Sequence, residues 1–355
     1  MVALALAATA ALAVSCGSDT SPGSGPGVPD ASPIVGLAPG AWTWVEFPDS
    51  ACDDGSPTGI GVSPGTGPDL LVFLSGGGAC WDYLTCVVLG TSAGGPFGRA
   101  EFEDLAAQVL PGSILDRDLP GNPFRDATLV FVPYCTGDIH GGNQVATYQG
   151  AGSSFRIHHV GHANVEAFAR RVAATWPAPR KLVVAGASAG GFGALVNYDA
   201  LRRRFPSSQG YLIDDSGPPL EPGAISQTLL DAWFRSWRLG DVLDPLCGSP
   251  CRAGLSPGLA AVAGRYPKDR LALLSSLQDA VISGYLLLDN DEFQQELLRL
   301  SAHVAASLPS ARTFLVGGSG HTMLGSPAGV AQGVSLLTWI AQQVSDDPAW
   351  SSQQP

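Results

Sequence analysis

Lys181-Leu182-Val183-Val184-Ala185 runs without a break into Gly186-Ala187-Ser188-Ala189-Gly190-Gly191. A short apolar run of this kind has the length and composition of a strand buried on both faces. The glycines leave room for one sharp turn before Gly191 to Arg204, a stretch compatible with a helix. A serine in a Gly-x-Ser-x-Gly turn between strand and helix projects its hydroxyl at a helix N-terminus, where unpaired N–H groups favour negative charge. Ser188 is therefore the first candidate nucleophile. The alternative, a chemically idle glycine turn, is disfavoured by the strand and helix on either side.

Working outward, four further apolar runs read as strands. Asp69 to Leu74 ends in Ser75-Gly76-Gly77-Gly78, and Ala127 to Val132 is stopped by Pro133. Arg270 to Ser275 and Thr313 to Val316 follow later in the chain. Between the second run and the Ser188 strand, Val165, Phe168, Ala169 and Val172 recur at helical spacing within Asn164 to Thr175, which predicts a crossover helix. Strands alternating with helices predict an α/β fold with a mostly parallel central sheet and helices on both faces. Trp233, Phe234 and Trp237 fall between the later strands, either as the core of an insertion or as the lining of a cap.

The bulk numbers agree. Apolar residues make up 45% of the 355-residue chain and charged residues 14%, a balance that suits a globular enzyme rather than a disordered chain. The net charge is −12 and the longest basic run is Arg202-Arg203-Arg204, so the footprint of a nucleic-acid binder is missing. Met1 to Val14 is almost wholly apolar and precedes Ser15-Cys16, which predicts a signal peptide over 1–16, too short to span a bilayer. Leu12-Ala13-Val14-Ser15-Cys16 resembles a lipoprotein signal in which Cys16 is lipidated; plain secretion is the alternative. Residues 17–33 are Gly, Ser, Pro and Asp with little to bury and read as a flexible linker. A single α/β domain is expected over 34–345, with a polar tail at 346–355. Export to the cell envelope or beyond, a monomer, and membrane contact only through the lipid follow as expectations.

Setting Cys16 aside leaves Cys52, Cys80, Cys86, Cys135, Cys247 and Cys251, an even set suited to disulfides in an exported chain. Six cysteines allow 15 pairings. The short loops favour Cys80–Cys86 and Cys247–Cys251 and leave Cys52 with Cys135. A metal site is the weaker reading, because neither Cys-x5-Cys nor Cys-x3-Cys has a matching histidine pair.

A serine hydroxyl needs a base. His321, in Gly317-Gly318-Ser319-Gly320-His321 just past the last apolar strand, stands where an α/β-hydrolase carries its histidine. His158, His159 and His162 form a second cluster, with His158 and His162 expected one turn apart on a helix start and in structural or substrate-facing roles. The acid should lie between serine and histidine in chain order. Asp279 satisfies this, with Asp214 or Asp215 as competitors at the end of an earlier strand. A carboxylate on the far nitrogen of the histidine fixes the tautomer and stabilises the imidazolium. The oxyanion of the tetrahedral intermediate needs preset N–H donors, for which Gly77 and Gly78 of the glycine loop and Ala189 after the nucleophile are the candidates. No metal or organic cofactor is called for.

These motifs resemble those of the pectin acetylesterase and Notum carboxylesterase family. The resemblance rests on Leu-Ser-Gly-Gly-Gly-Ala-Cys-Trp at 74–81 with Cys86, Phe-Val-Pro-Tyr-Cys-Thr-Gly-Asp at 131–138, Gly-Ala-Ser-Ala-Gly-Gly at 186–191, Asp-Ser-Gly at 215–217 and Gln-Asp at 278–279, in the family's order. It implies an α/β-hydrolase fold, a Ser188–Asp279–His321 triad, an oxyanion hole from Gly77, Gly78 and Ala189, and the Cys80–Cys86 and Cys52–Cys135 bridges. It also implies a carboxylesterase acting on acetyl or longer acyl esters, with an acetylated polysaccharide or a small ester as substrate. Pectin is polyanionic, and a chain at −12 would repel it without a basic groove. Arg156, Arg235 and Arg238 could line such a groove, although solvated surface is the commoner state of such arginines. The rival readings are a non-catalytic glycan- or lipid-binding protein on the same fold, and a lipase or depolymerase taking longer acyl chains.

Overall fold

The computed structural model describes residues 30–355, so Cys16, the signal peptide and most of the 17–33 linker lie outside the described residues. In chain order the strands and helices of the main body are β1 (Thr43–Phe47), β2 (Thr58–Ser63), β3 (Leu70–Leu74), α1 (Arg99–Gln108), β4 (Thr128–Val132), β5 (Gln144–Gly150), β6 (Ser153–His159), α2 (Gly161–Thr175), β7 (Lys181–Ala187) and α3 (Ala189–Arg204). They continue with β8 (Gln209–Asp215), α4 (Gln227–Trp237), α5 (Gly240–Cys247), α6 (Ser256–Arg265), β9 (Arg270–Ser276), α7 (Ala280–Leu286), α8 (Asn290–Ser307), β10 (Ala311–Val316) and α9 (Leu336–Val344). Eight strands form one sheet in the order β1-β2-β4-β3-β7-β8-β9-β10. The pairs from β4 to β10 are parallel, while β1–β2 and β2–β4 are antiparallel. This is an α/β-hydrolase-like fold.

The reason for the continuous apolar runs is visible in β3, where all five residues are buried. Leu70, Val72 and Leu74 face one layer, with Val165, Phe168 and Val172 of α2 and Leu195 of α3. Leu71 and Phe73 face the other, with Phe102 of α1 and Trp339 and Ile340 of α9. A strand covered on both sides has no polar face to display.

Two expectations are corrected. His158 and His159 close strand β6 instead of opening a helix, and only His162 is helical. Burial alternates along β5, and along the hairpin His159 pairs with Gln144 and Arg156 with Thr147, so hairpin pairing overrides the helical spacing of the histidines. The 346–355 segment is no free tail: Trp350 is buried against Trp339, and Gln353 exchanges backbone hydrogen bonds with Thr313 and Leu315 of β10. Trp233 and Trp237 of α4 are buried and stack on each other, which makes them core, although Trp233 also reaches a cavity described below.

Candidate active site

At the carboxyl end of β7 the chain turns through Ser188 with φ 59 and ψ −124, a conformation that L residues avoid. Such strain persists only where the surroundings fix it. Ser188 N–H donates to the carbonyl of Asp215 at 2.8 Å, and its own carbonyl accepts from Gly191 N at 2.8 Å. The spacing of the Gly-x-Ser-x-Gly turn has a steric cause: a Cβ on Gly186 would strike the carbonyl of Gly190, and one on Gly190 would strike that of Leu74. The Gly76–Gly78 loop passes equally close, since a Cβ on Gly76 would come within 2.8 Å of the Ser188 Cβ.

The histidine arrives from the loop after β10. His321 Nδ1 lies 3.0 and 2.9 Å from the two carboxylate oxygens of Asp279. An ionised carboxylate only accepts, so Nδ1 carries the proton and Nε2 is left with its lone pair. Asp279 is fully buried and also caps α7, accepting from Val281 N and Ile282 N at 3.0 Å each. Two amides at a helix N-terminus and the imidazole replace the water that the carboxylate gave up. No hydrogen bond joins Ser188 to His321, whose Nδ1 is held by Asp279. Both open onto one cavity of about 560 Å³, which the glycine loop, Thr91, Ser92 and Tyr285 also line.

A second, smaller cavity of about 20 Å³ leads from Ser188 into the core, walled by Ile139, Phe192, Trp233, Ile282 and Tyr285. One water needs roughly 10–15 Å³ on this measure, so the space suits a single methyl-sized group. Ile139 reaches it through a strained turn, with φ 51 there and 55 at His140. The turn is held by the Tyr134 hydroxyl, which accepts from Ile139 N at 2.9 Å, and by His140 Nε2, which donates to the Ser75 carbonyl at 2.9 Å. Asp138 braces the same segment, accepting from the Thr136 hydroxyl at 2.6 Å and from Gly161 N at 2.8 Å. The 131–138 motif is thus scaffolding that fixes one wall of the small cavity and the root of the glycine loop.

One contributor was not legible beforehand. Asp215, weighed as a competing acid, does not touch the ring of His321: its Oδ2 accepts from Met323 N at 2.6 Å and Leu324 N at 2.8 Å. The neighbouring Ser216 hydroxyl accepts from Thr322 N at 3.1 Å. Three consecutive amides after the histidine are therefore held by the end of β8. Burial pushes Asp215 up to about 6, against the pull of the Leu324 and Met323 amides and of the charge on His321. Burial, then the charge of Asp215, pushes Asp214 well above the ordinary range, and its Oδ2 has no partner. The signal in the sequence was the Asp215-Ser216-Gly217 motif, which carries no hint of its distant partner.

The disulfides are Cys52–Cys135, Cys80–Cys86 and Cys247–Cys251, a set that fits an oxidising compartment. Cys80, Cys86 and His159 lie within 4.8 Å of one another. They make a poor metal centre, because the sulfurs are bonded to each other and both ring nitrogens are engaged, by the Thr136 carbonyl and the Tyr148 hydroxyl. His162 Nδ1 is likewise paired with Asn197. Arg156, Arg235 and Arg238 are exposed and none lines the cavity at Ser188; Arg238 pairs with Asp241 at 2.9 Å.

Among known proteins, the palmitoleoyl-protein carboxylesterase Notum of Schmidtea mediterranea is 31% identical over 169 residues, 45% of this chain and 30% of the relative. The chain thus spans under a third of the length of that curated relative. The family model for pectinacetylesterase matches residues 43–237, more than half of the chain, and takes in the glycine loop, the 131–138 motif, the Ser188 turn and the Asp215 segment. With fold, motif order and matched span in agreement, the chain belongs to the pectinacetylesterase family.

Proposed function

We propose that this protein is a serine carboxylesterase that removes short acyl groups, acetyl foremost, through an acyl-Ser188 intermediate. One observation carries the reading: an imidazole oriented by a buried carboxylate and a serine on a strained turn open onto one cavity, beside a methyl-sized apolar recess. In this mechanism His321 Nε2 takes the proton of the Ser188 hydroxyl as it attacks the ester carbonyl, and Asp279 stabilises the resulting imidazolium. The amides of Gly77, Gly78 and Ala189 receive the oxyanion. His321 then returns the proton to the departing alcohol, and water repeats the sequence to free the acid.

The recess sets the acyl length. A palmitoleoyl chain of the kind named for the Notum relative has no room in about 20 Å³, whereas the methyl of an acetyl group fits. Replacing Ser188 by Ala should lower hydrolysis of p-nitrophenyl acetate by about 10⁴-fold or more and abolish labelling by a fluorophosphonate. Wild-type kcat/KM should fall steeply from acetyl to butyryl and longer esters. A Ser188→Ala protein that keeps its activity refutes the serine mechanism, and a flat acyl profile refutes the recess as acyl site. Export and lipidation at Cys16 belong to the same reading; labelled palmitate should mark the wild-type chain and not Cys16→Ala.

A further inference from the structure

We infer that the alcohol half of the substrate is uncharged, so that this family member acts on acetyl esters of neutral sugars or similar alcohols and discriminates against polyanionic pectate. The inference rests on the serine esterase reading above and concerns the other side of the scissile bond. With the acyl group in the small recess, the alcohol is placed in the larger cavity, which also opens onto Ser188.

Among the described residues that line this larger cavity, the ionisable ones are His321 and Tyr285, with no Lys, Arg, Asp or Glu. Tyr285 is a neutral phenol, pushed up by burial and donating its hydroxyl to the Thr91 carbonyl. His321 has to be neutral to act as a base. In the working state, therefore, the alcohol site holds no positive charge. Apart from Ser188, the rest of its lining is glycine backbone, two alanines, Thr91, Ser92, Val281 and Thr322, which offers hydrogen bonds and apolar contact but no ion pair.

Arg156 and Arg235 are exposed and do not line this cavity, and several other arginines are paired away from it. Arg238 pairs with Asp241, Arg252 with Asp244, Arg202 with Asp269 and Arg265 with Asp199, none of them at the cavity. A carboxylate entering the site would lose water without gaining a partner, within the field of a chain whose net charge is −12. That field repels a polyanion, and salt weakens it over a Debye length of about 8–10 Å. An uncharged sugar meets neither obstacle. The acidity of the protein and the neutrality of its cleft thus select in the same direction.

The test compares substrates that differ only in charge. Acetate release is followed from acetylated oligogalacturonides with free carboxylates and from the same oligomers with the carboxylates methyl-esterified, at about 10 mM and 300 mM NaCl. The capped oligomers should be favoured by about tenfold or more in kcat/KM at low salt, and the gap should narrow as salt rises. As a second pair, 4-acetoxybenzoate should be hydrolysed a few-fold more slowly than its methyl ester, after correction for their alkaline hydrolysis rates. This pair decides the matter if neither oligomer is turned over. Equal or faster hydrolysis of the anionic member, or a rate on it that falls with salt, overturns the inference. Ser188→Ala on p-nitrophenyl acetate is run alongside: if that variant stays active, the esterase reading itself has failed, independently of the charge series.

Discussion

Strands β8 and β9 lie side by side, and each leads to a fully buried carboxylate that grips the same histidine loop in a different way. Asp279, just past β9, holds the ring of His321 and is itself held by the first amides of α7. Asp215, the last residue of β8, holds the backbone after the ring and, through its own carbonyl, the amide of Ser188. One carboxylate orients the imidazole of His321; the other ties the loop that bears it to the turn at Ser188. The difference shows that burial and position at a strand end do not by themselves bring a carboxylate to the imidazole. What decides is which N–H groups the facing loop turns towards it.

The largest expected effect lies on the Asp279 side. Asp279→Asn keeps the shape but can hold the wrong tautomer of His321, and kcat should fall by about 10⁴-fold; retention of more than a tenth of the activity would place the triad acid elsewhere. Next is a stability effect at Asp215. Its folded value of about 6 lies above the ordinary 3.8. The folded protein therefore holds a proton over a range where the unfolded chain has lost it. The associated stability is present at pH 4 and is lost as pH rises through 6. Relative to Asp215→Asn, wild type should lose on the order of 3 kcal/mol between pH 4 and pH 7, measured by denaturant unfolding of both proteins. A pH-independent difference would contradict it.

Smaller effects follow for catalysis. Asp215→Asn should lower kcat by about tenfold with little change in KM, because the loop loses a charged anchor while the cavity walls stay. In a His321→Ala background the same change should have no further effect on the residual rate, since it acts through the histidine. Ser216→Ala removes one neutral hydrogen bond to Thr322 and should reduce kcat only two- to threefold.

Much of this frame was legible in advance because strands β3, β4, β7, β9 and β10 are covered on both sides and so appear as unbroken apolar runs. Strand β2, Thr58–Ser63, was not, although every residue in it is buried, because its glycines and hydroxyls dilute the apolar signal. The β5–β6 hairpin escaped for the opposite reason: its half-exposed, polar strands resemble a loop until paired. At the site, the Gly-x-Ser-x-Gly turn pointed to Ser188 and chain order to His321, while Asp279 stood beside Asp214 and Asp215 until the contact with the His321 ring separated them. The hook at Asp215 could not, since its partners lie more than 100 residues away and are backbone groups whose side chains, Met323 and Leu324, carry no trace of the bond. The recess walls at Ile139 and Tyr285 were hidden likewise, being set by a strained turn and a helix position.

The docking of the C-terminal residues on β10 has a practical corollary. That strand is the last in the sheet, and an uncovered outer strand is a template for pairing with another molecule. Gln353 occupies part of that edge and Trp350 covers the packing beside it. A chain shortened to end at Val344 would present the bare edge and is expected to self-associate, which light scattering would detect, and an affinity tag joined directly to Pro355 would crowd the docking of Gln353 on β10.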